Sequence, residues 1–263
     1  MHEPDFWPRF LDAGDCGLVV EFGDGIDAAV NARVLRLDAA LSAMSDGIRE
    51  TVPTYRSLLV LYDPRRLRRH ALKDRITRLL QDSGNEDFAG PHRIWHIPVC
   101  YGGLHGEDLD AVAALHGLSS DEVVRLHAGA VYRVYMIGFM PGFTYLGGLP
   151  EAIHTSRRTT PRQKTPPRSV SIGGKQAAVS PPMAIPSAWQ MLGQTPVHVY
   201  DPRRADRPFL LASGDHVRFE PVKETEYERL CAFAESGETV AQLEEIASPP
   251  AASAALAPPL EHP

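Results

Sequence analysis

Between Tyr132 and Val222 short apolar runs alternate with glycine and proline, as in YRVYMIGF, SVSIGG, PVHVYD, PFLLASGD and HVRFEPV. Proline removes a backbone donor and glycine weakens a helix interior, so this stretch cannot sustain helices. Many short strands joined by turns remain. Such strands bury their edges and faces in a closed or sandwiched all-β unit, which is the fold expected here.

The chain before this stretch has a different period. CGLVVEFG, from Cys16 to Gly23, is a short apolar run closed by glycine and suits a buried strand. Val30, Val34, Leu37, Leu41 and Met44 then recur at spacings of four and three, which predicts a helix with Asp27 as its N-cap. Pro53 to Tyr62 predicts a strand, Leu72, Ile76, Leu79 and Leu80 a second amphipathic helix, DSGNED a loop, and HRIWHIPVCY another strand. This order fits an α+β N-terminal domain over residues 1–95.

An all-β barrel domain is expected over residues 96–222, with a helical lead-in at 107–129. Within the lead-in, Leu109, Val112 and Leu115 mark one helix face, Gly117 interrupts it, and Ser119 with Glu122 has capping-box spacing for a second helix carrying Val123 and His127. Residues 223–263 should hold a helix from Thr225 to Phe233 and a flexible, Pro/Ala-rich tail. No internal repeat is present.

Composition excludes several classes. A hydrophobic fraction of 43% and a charged fraction of 23% are those of an ordinary globular protein. No run approaches the roughly 18 apolar residues of a membrane helix, and MHEPDFWPRF lacks a signal core, so a cytoplasmic protein is expected, with no membrane partner. A net charge of −6 argues against nucleic acid as a partner. Cys16, Cys100 and Cys231 are odd in number and widely spaced, which suggests reduced, packed thiols. His92 and His96 would lie about 13 Å apart along a strand, so no metal site is expected on this chain.

Three segments could carry chemistry. IGFMPGFTYLGGLP, Ile137 to Pro150, bends at glycine and proline while presenting aromatic surface; it packs a core or lines a pocket, and composition favours the core. From Ala152 to Tyr200 there is no Asp or Glu, yet Arg157, Arg158, Arg162, Lys164, Arg168 and Lys175 fall there. That segment is either a pre-organised anion contact or a surface crossover with its cations in water. In SAWQMLGQTP, Trp189 offers a flat wall and Gln190 and Gln194 offer amide hydrogen bonds, although a Trp packing the barrel fits as well. IGGKQA lacks the first glycine and the final Ser or Thr of a phosphate-binding loop, and no Gly-x-Ser-x-Gly elbow appears.

The string HAGAVYRVYMIGFMPGFTYLGGLP, with TPRQKTPPRSVSIGGKQ, SAWQMLGQTP, PFLLASGDHVRF and the earlier GDCGLVVEFGD and VPTYRSLLVLYDP, resembles the KipI and allophanate hydrolase subunit 1 family over about residues 10 to 222. The resemblance implies a cyclophilin-like form for the barrel. As the commonest role it implies the B-type subunit of an ATP-dependent 5-oxoprolinase, an enzyme that opens 5-oxo-L-proline to L-glutamate. Its implied partners are a carboxyltransferase-like subunit (KipA or allophanate hydrolase subunit 2 type), a LamB/YcsF-type subunit and a small-molecule carboxylate. ATP and Mg²⁺ would serve the assembled complex without a binding motif on this chain. The family also contains an inhibitor of a sensor histidine kinase and relatives of allophanate hydrolase and urea carboxylase, so those roles stand as alternatives.

Carried across residue by residue, the resemblance places Tyr132, Phe139, Pro141, Gly142, Tyr145, Trp189 and Gln190 against substrate, with His127, Arg162 and Gln176 as candidate catalytic groups. Three departures occur. Pro167-Arg168 replaces Ala-Gly, Ala177 to Ser180 replaces Thr-x-x-Tyr, and Ser187-Ala188 replaces Gly-Gly.

Overall fold

The computed structural model describes residues 7–44, 46–82 and 92–246. The first unit opens with β1 (Arg9–Ala13) and β2 (Gly17–Glu21), followed by α1 (Ala28–Ser42), β3 (Ile48–Pro53), β4 (Ser57–Tyr62) and α2 (Arg69–Asp82). The four strands form one antiparallel sheet in the order β1-β2-β4-β3. Asp27 caps α1 as its sequence predicts: its Oδ1 accepts from Ala29 N and Val30 N at 2.9 Å each.

Alternation in β4 sends Leu58, Val60 and Tyr62 to one face, where they meet Leu18 and Val20 of β2. Val34, Leu37 and Leu41 of α1 and Leu72 and Ile76 of α2 cover that face. Burying each such side chain contributes about 1.5–3 kcal/mol, and this packing rather than propensity holds a 15-residue helix. The strand expected from Pro53 to Tyr62 is β4, the second strand of a hairpin with β3. Thr54 Oγ1 donates to Ser57 O at 3.0 Å and accepts from Ser57 N at 3.2 Å, closing a turn between β3 and β4. β1 was not foreseen, because an edge strand with mostly exposed side chains carries no apolar pattern.

The second unit comprises β5 (His92–Tyr101), α3 (Leu109–His116), α4 (Ser120–Gly129), β6 (Val131–Ile137), β7 (Thr144–Gly147), β8 (Arg162–Thr165), β9 (Ser169–Gly173), β10 (Gln176–Val179), β11 (Ile185–Ser187), β12 (Gln190–Gln194), β13 (His216–Pro221), α5 (Glu224–Glu235) and β14 (Gln242–Ile246). Seven strands run β12-β9-β10-β7-β6-β13-β5, and β5 returns to β12 through Gly193↔Tyr101 and Gln194↔Cys100, closing a barrel. A Cβ at Gly193 would stand 2.6 Å from Cys100 O, so the closing contact requires glycine there. Only β5 and β13 pair in parallel within the barrel. Strands β8 and β11 form a separate ribbon.

Pairing of β5 with the barrel strand β13 begins at Ile94, opposite His216. The boundary expected at residues 95/96 falls within β5. The loop expected at 82–87 falls almost wholly outside the described residues, as does the expected tail. The lead-in forms α3 and α4, and the Ser119/Glu122 capping box is present. Leu115, expected on the buried face of α3, is 67% exposed; Ala113 turns inward beside Leu109 and Val112. α5 is slightly longer than predicted, and β14, unforeseen, lies beside the first half of β5.

Three buried aspartates tie barrel loops down. Asp215 accepts from Arg93 Nε at 2.8 Å, Trp95 Nε1 at 3.1 Å and Ala212 N at 2.9 Å. Asp108 and Asp201 hold arginines in the same way. Cys100 is buried, but Cys16 is exposed, contrary to the expectation of packed thiols. Among the described residues no helix is long and apolar enough to cross a membrane.

Candidate functional site

The glycine-bent turn between β6 and β7 shapes one face of the barrel. Gly142 takes φ +83° and packs against Tyr200, where a Cβ would come within 2.5 Å of the Tyr200 Cβ. Gly138 N donates to Phe143 O at 3.1 Å, and Phe143 N to Met140 O at 3.0 Å. The turn thus folds Phe143 inward while Phe139, at φ +69°, remains 62% exposed. Phe143 lies 4.8 Å from Tyr145 and 6.1 Å from Trp189 between ring centres, and Tyr145 lies 6.0 Å from Trp189. Edge-on aromatic pairs of this kind add about 0.5–1.5 kcal/mol beyond their burial.

The N-terminal unit completes this face. Tyr55, in the β3–β4 turn, lies 5.2 Å from Tyr135 of β6 and 6.1 Å from Tyr145. Asn31 of α1 fixes the junction. Its fully buried side-chain amide donates to Thr54 O at 3.1 Å and to Tyr135 O at 3.3 Å, and its Oδ1 accepts from Arg133 Nε. A buried amide with both ends paired sets the turn against β6 and so sets where Tyr55 stands.

The carboxylate-free segment supplies the charge. Arg157 Cζ lies 5.3 Å above the Trp189 ring. The residues on either side of Arg157 are pinned, because Gln190 Nε2 donates to Ser156 O at 3.0 Å and Arg158 N donates to Ala188 O at 2.6 Å. Arg158 and Arg162 both turn away to Asp108 Oδ1, at 2.9 and 2.7 Å, while Asp108 Oδ2 accepts from Met191 N. Burial alone would raise the Asp108 carboxyl, but Arg162, the Met191 amide and Arg158 outweigh it and hold it below the carboxylate range. Burial pushes the Tyr55 and Tyr145 hydroxyls upward, with the Arg157 charge pulling back on both. Both tyrosines are therefore neutral hydrogen-bond donors beside a cation.

Of the residues singled out by sequence, Trp189 is buried with Phe143, Ala178 and Ile185 in a small apolar cluster, as the core reading expected, Tyr145 packs against that cluster, Phe139, Pro141 and Gly142 form the turn, and Gln190 braces the segment that carries Arg157. Gln176 opens β10 opposite Gly173. Arg162 points to Asp108 and, more weakly, to Glu107 and Trp189 O. His127 and Tyr132 are placed elsewhere: both side chains are fully enclosed in the barrel core. His127 Nδ1 meets Tyr101 Oη at 2.8 Å, its ring stacks on Phe219 at 4.8 Å, and Tyr132 Oη donates to His127 O at 2.9 Å. Burial drives the His127 pKa down to about 3, so the ring is neutral, and its ring contacts go to Tyr101, Tyr132 and Phe219 rather than to Tyr145 or Trp189. The sequence did not single out Tyr55 or Tyr135, and it marked Arg157 only as one cation among six. The signal for Arg157 was its place in a stretch without acids; Tyr55 carried none, because its partners are 80 and more residues away.

Residues 8–211 match the family model described as carboxyltransferase domain, subdomain C and D. The B-type subunit of 5-oxoprolinase from Escherichia coli O157:H7 is 42% identical over 212 residues, which cover 80% of this chain and 94% of that protein. The crystal structure of TTHA0988 superposes with a TM-score of 0.70 at 39% identity; the match covers 79% of this chain and 40% of that longer one. The Kluyveromyces lactis urea carboxylase structure superposes with a TM-score of 0.76 at 21% identity, over 93% of this chain and 24% of that one, a likeness of fold. The chain belongs to the carboxyltransferase subdomain C and D family, within which it is a relative of the B-type subunits of 5-oxoprolinase.

Proposed function

We propose that this protein is the B-type subunit of an ATP-dependent 5-oxoprolinase and contributes to opening 5-oxo-L-proline to L-glutamate. The observation that carries the reading is the 42% identity with the B-type subunit of a 5-oxoprolinase across nearly that protein's whole length. The site chemistry supports it: a face walled by Tyr145 and Trp189, with the Arg157 cation above, suits a small ring bearing a carboxylate. In this reading the seven-stranded barrel is cyclophilin-like, and the protein works in the cytoplasm.

The reaction needs more than this chain. A lactam carbonyl is a poor electrophile, and phosphorylating its oxygen supplies a leaving group in a water-excluded site. ATP and Mg²⁺ enter through the complex. In this chain Glu107 and Asp108 are engaged by Arg158, Arg162 and the Met191 amide, so they do not fit as metal ligands. Among the described residues no group of three His, Cys, Asp or Glu side chains could hold a metal ion. The reading therefore assigns nucleotide and metal to a carboxyltransferase-like partner and a LamB/YcsF-type partner, and substrate contact to this chain.

Co-expression with those two partner types, followed by a glutamate-release assay, tests the reading. ATP-dependent glutamate formation from 5-oxo-L-proline that disappears when this chain is omitted is expected. Full activity of the other two subunits without it would refute the assignment.

A further inference from the structure

Four arginines lie between residues 157 and 168 of the carboxylate-free segment, and three of them are neutralised from outside it. Arg158 and Arg162 reach Asp108, and Arg168 lies 3.6 Å from Glu235. Arg157 has no carboxylate within ion-pair distance among the described residues; it is exposed and rests only on the Trp189 ring. On the same aromatic face, where Tyr145 lies 6.1 Å from Tyr55 and 6.0 Å from Trp189 between ring centres, Tyr55 Oη is shielded from water, has no hydrogen-bond partner and feels the Arg157 charge. A buried hydroxyl left unpaired is costly, and buried polar groups are otherwise nearly always satisfied. The face thus holds a guanidinium without an ion pair and a hydroxyl donor without an acceptor.

We propose that Arg157 and Tyr55 Oη form a carboxylate clamp, with the rings of Trp189 and Tyr145 flanking the apolar body of the ligand. The ligand class is a small monocarboxylate with a compact ring, and the proposal rests on the 5-oxoprolinase reading and deepens it. The carboxylate accepts from the guanidinium on one side and from the tyrosine hydroxyl on the other. Arg157 is the movable member, because no acid anchors it; it swings from Trp189 to admit the ligand and then closes on the anion. Tyr55 is the fixed member, set by the Asn31 amide through Thr54 and Tyr135. The site therefore needs both units of the chain, with Tyr55 delivered by the N-terminal sheet and the other three residues by the barrel.

The test uses the reconstituted complex with 5-oxo-L-proline and its uncharged primary amide. Hydrogen bonds to a charged group correspond to about ten- to hundredfold in affinity, so Arg157→Gln should raise KM for the acid by that factor and abolish the preference for acid over amide. Tyr55→Phe keeps the ring contacts and removes only the oxygen; it should raise KM for the acid about tenfold and leave the circular dichroism spectrum unchanged. Lys164→Gln, which removes an exposed cation from the same segment, should leave KM as in the wild type. An active wild-type complex in which Arg157→Gln and Tyr55→Phe both keep the wild-type KM overturns the clamp. Calorimetric titration of the isolated full chain with 5-oxo-L-proline and with L-proline separates the two claims. Carboxylate binding that is lost in Arg157→Gln, alongside an inactive complex, sustains the clamp and refutes the oxoprolinase reading. No binding and no dependence of KM on either residue refutes the clamp.

Discussion

The two halves of the molecule are stabilised differently. The N-terminal sheet closes by apolar volume: Leu58, Val60 and Leu18 face Val34, Leu37, Leu41, Leu72 and Ile76, and its buried polar groups, Glu21 and Asn31, lie outside that cluster. The barrel has an apolar core as well, but Asp108, Asp201 and Asp215 are also buried, each holding an arginine and a backbone amide. The difference follows from connectivity. Two helices can cover an open sheet through contacts local in sequence, whereas barrel strands of four to ten residues leave long loops that apolar packing alone does not position. An acid accepting from a guanidinium and an amide positions such a loop.

The strongest way to break this contrast is Asp215→Ala. It leaves the Arg93 guanidinium and the Trp95 N–H without their acceptor, and truncating one member of a buried ion pair costs about 3–5 kcal/mol. Urea denaturation should register that loss, and a value below about 1 kcal/mol would remove the distinction between the halves. Leu58→Ala probes the other half: a fully buried leucine should cost about 2–5 kcal/mol, while Leu58→Met, similar in volume, should cost less than about 1.5 kcal/mol. A Met variant as damaging as Ala would mean that shape, not volume, governs the sheet.

Gly142→Ala sharpens the contrast at the candidate site. It forces a side chain into φ +83° and against Tyr200, at a cost of about 1–3 kcal/mol, and it should shift the aromatic turn enough to weaken activity of the complex. The smallest effect concerns the last strand. His96 of β5 meets Glu244 of β14 at 2.9 Å and Glu220 of β13 at 2.7 Å, and these hydrogen bonds raise its pKa above the ordinary imidazole value. Because the folded value is the higher one, the stabilisation is complete below the unfolded value of about 6.5 and is lost as pH rises through the folded value. The denaturation midpoint of the wild type should therefore fall as pH rises above about 6.5, and that of His96→Gln should fall less.

Much of the fold was legible because its signals are local. The i, i+3 and i+4 spacing of Val34, Leu37 and Leu41, the Asp27 cap and the Ser119/Glu122 box each act within one or two turns, and each appears where the pattern puts it. Leu115 misled because a helix of eight residues is too short for one apolar position to define its buried face. β1 and β14 were missed because edge strands with mostly exposed side chains carry no apolar alternation and are placed by pairing and by contacts distant in sequence, such as His96 with Glu244. At the site, Tyr145 was legible as an aromatic residue in a glycine-rich turn and Trp189 as a flat apolar wall, while the family resemblance brought in Tyr132 and, as a candidate catalytic group, His127. Its helix turns it into the core against Phe219, more than 90 residues away.

Sequence by itself determined the two-part architecture, since periodicity and glycine and proline punctuation govern which elements can form at all. It also marked the segment without carboxylates. Tertiary structure alone decided which of that segment's arginines lacks an ion pair and which buried hydroxyl on the same aromatic face lacks an acceptor. The partners that settle this, Asp108 for Arg158 and Arg162, Trp189 for Arg157, and Tyr135 and Tyr145 for Tyr55, are dozens of residues distant, and a charge is neutralised by what lies near it in space.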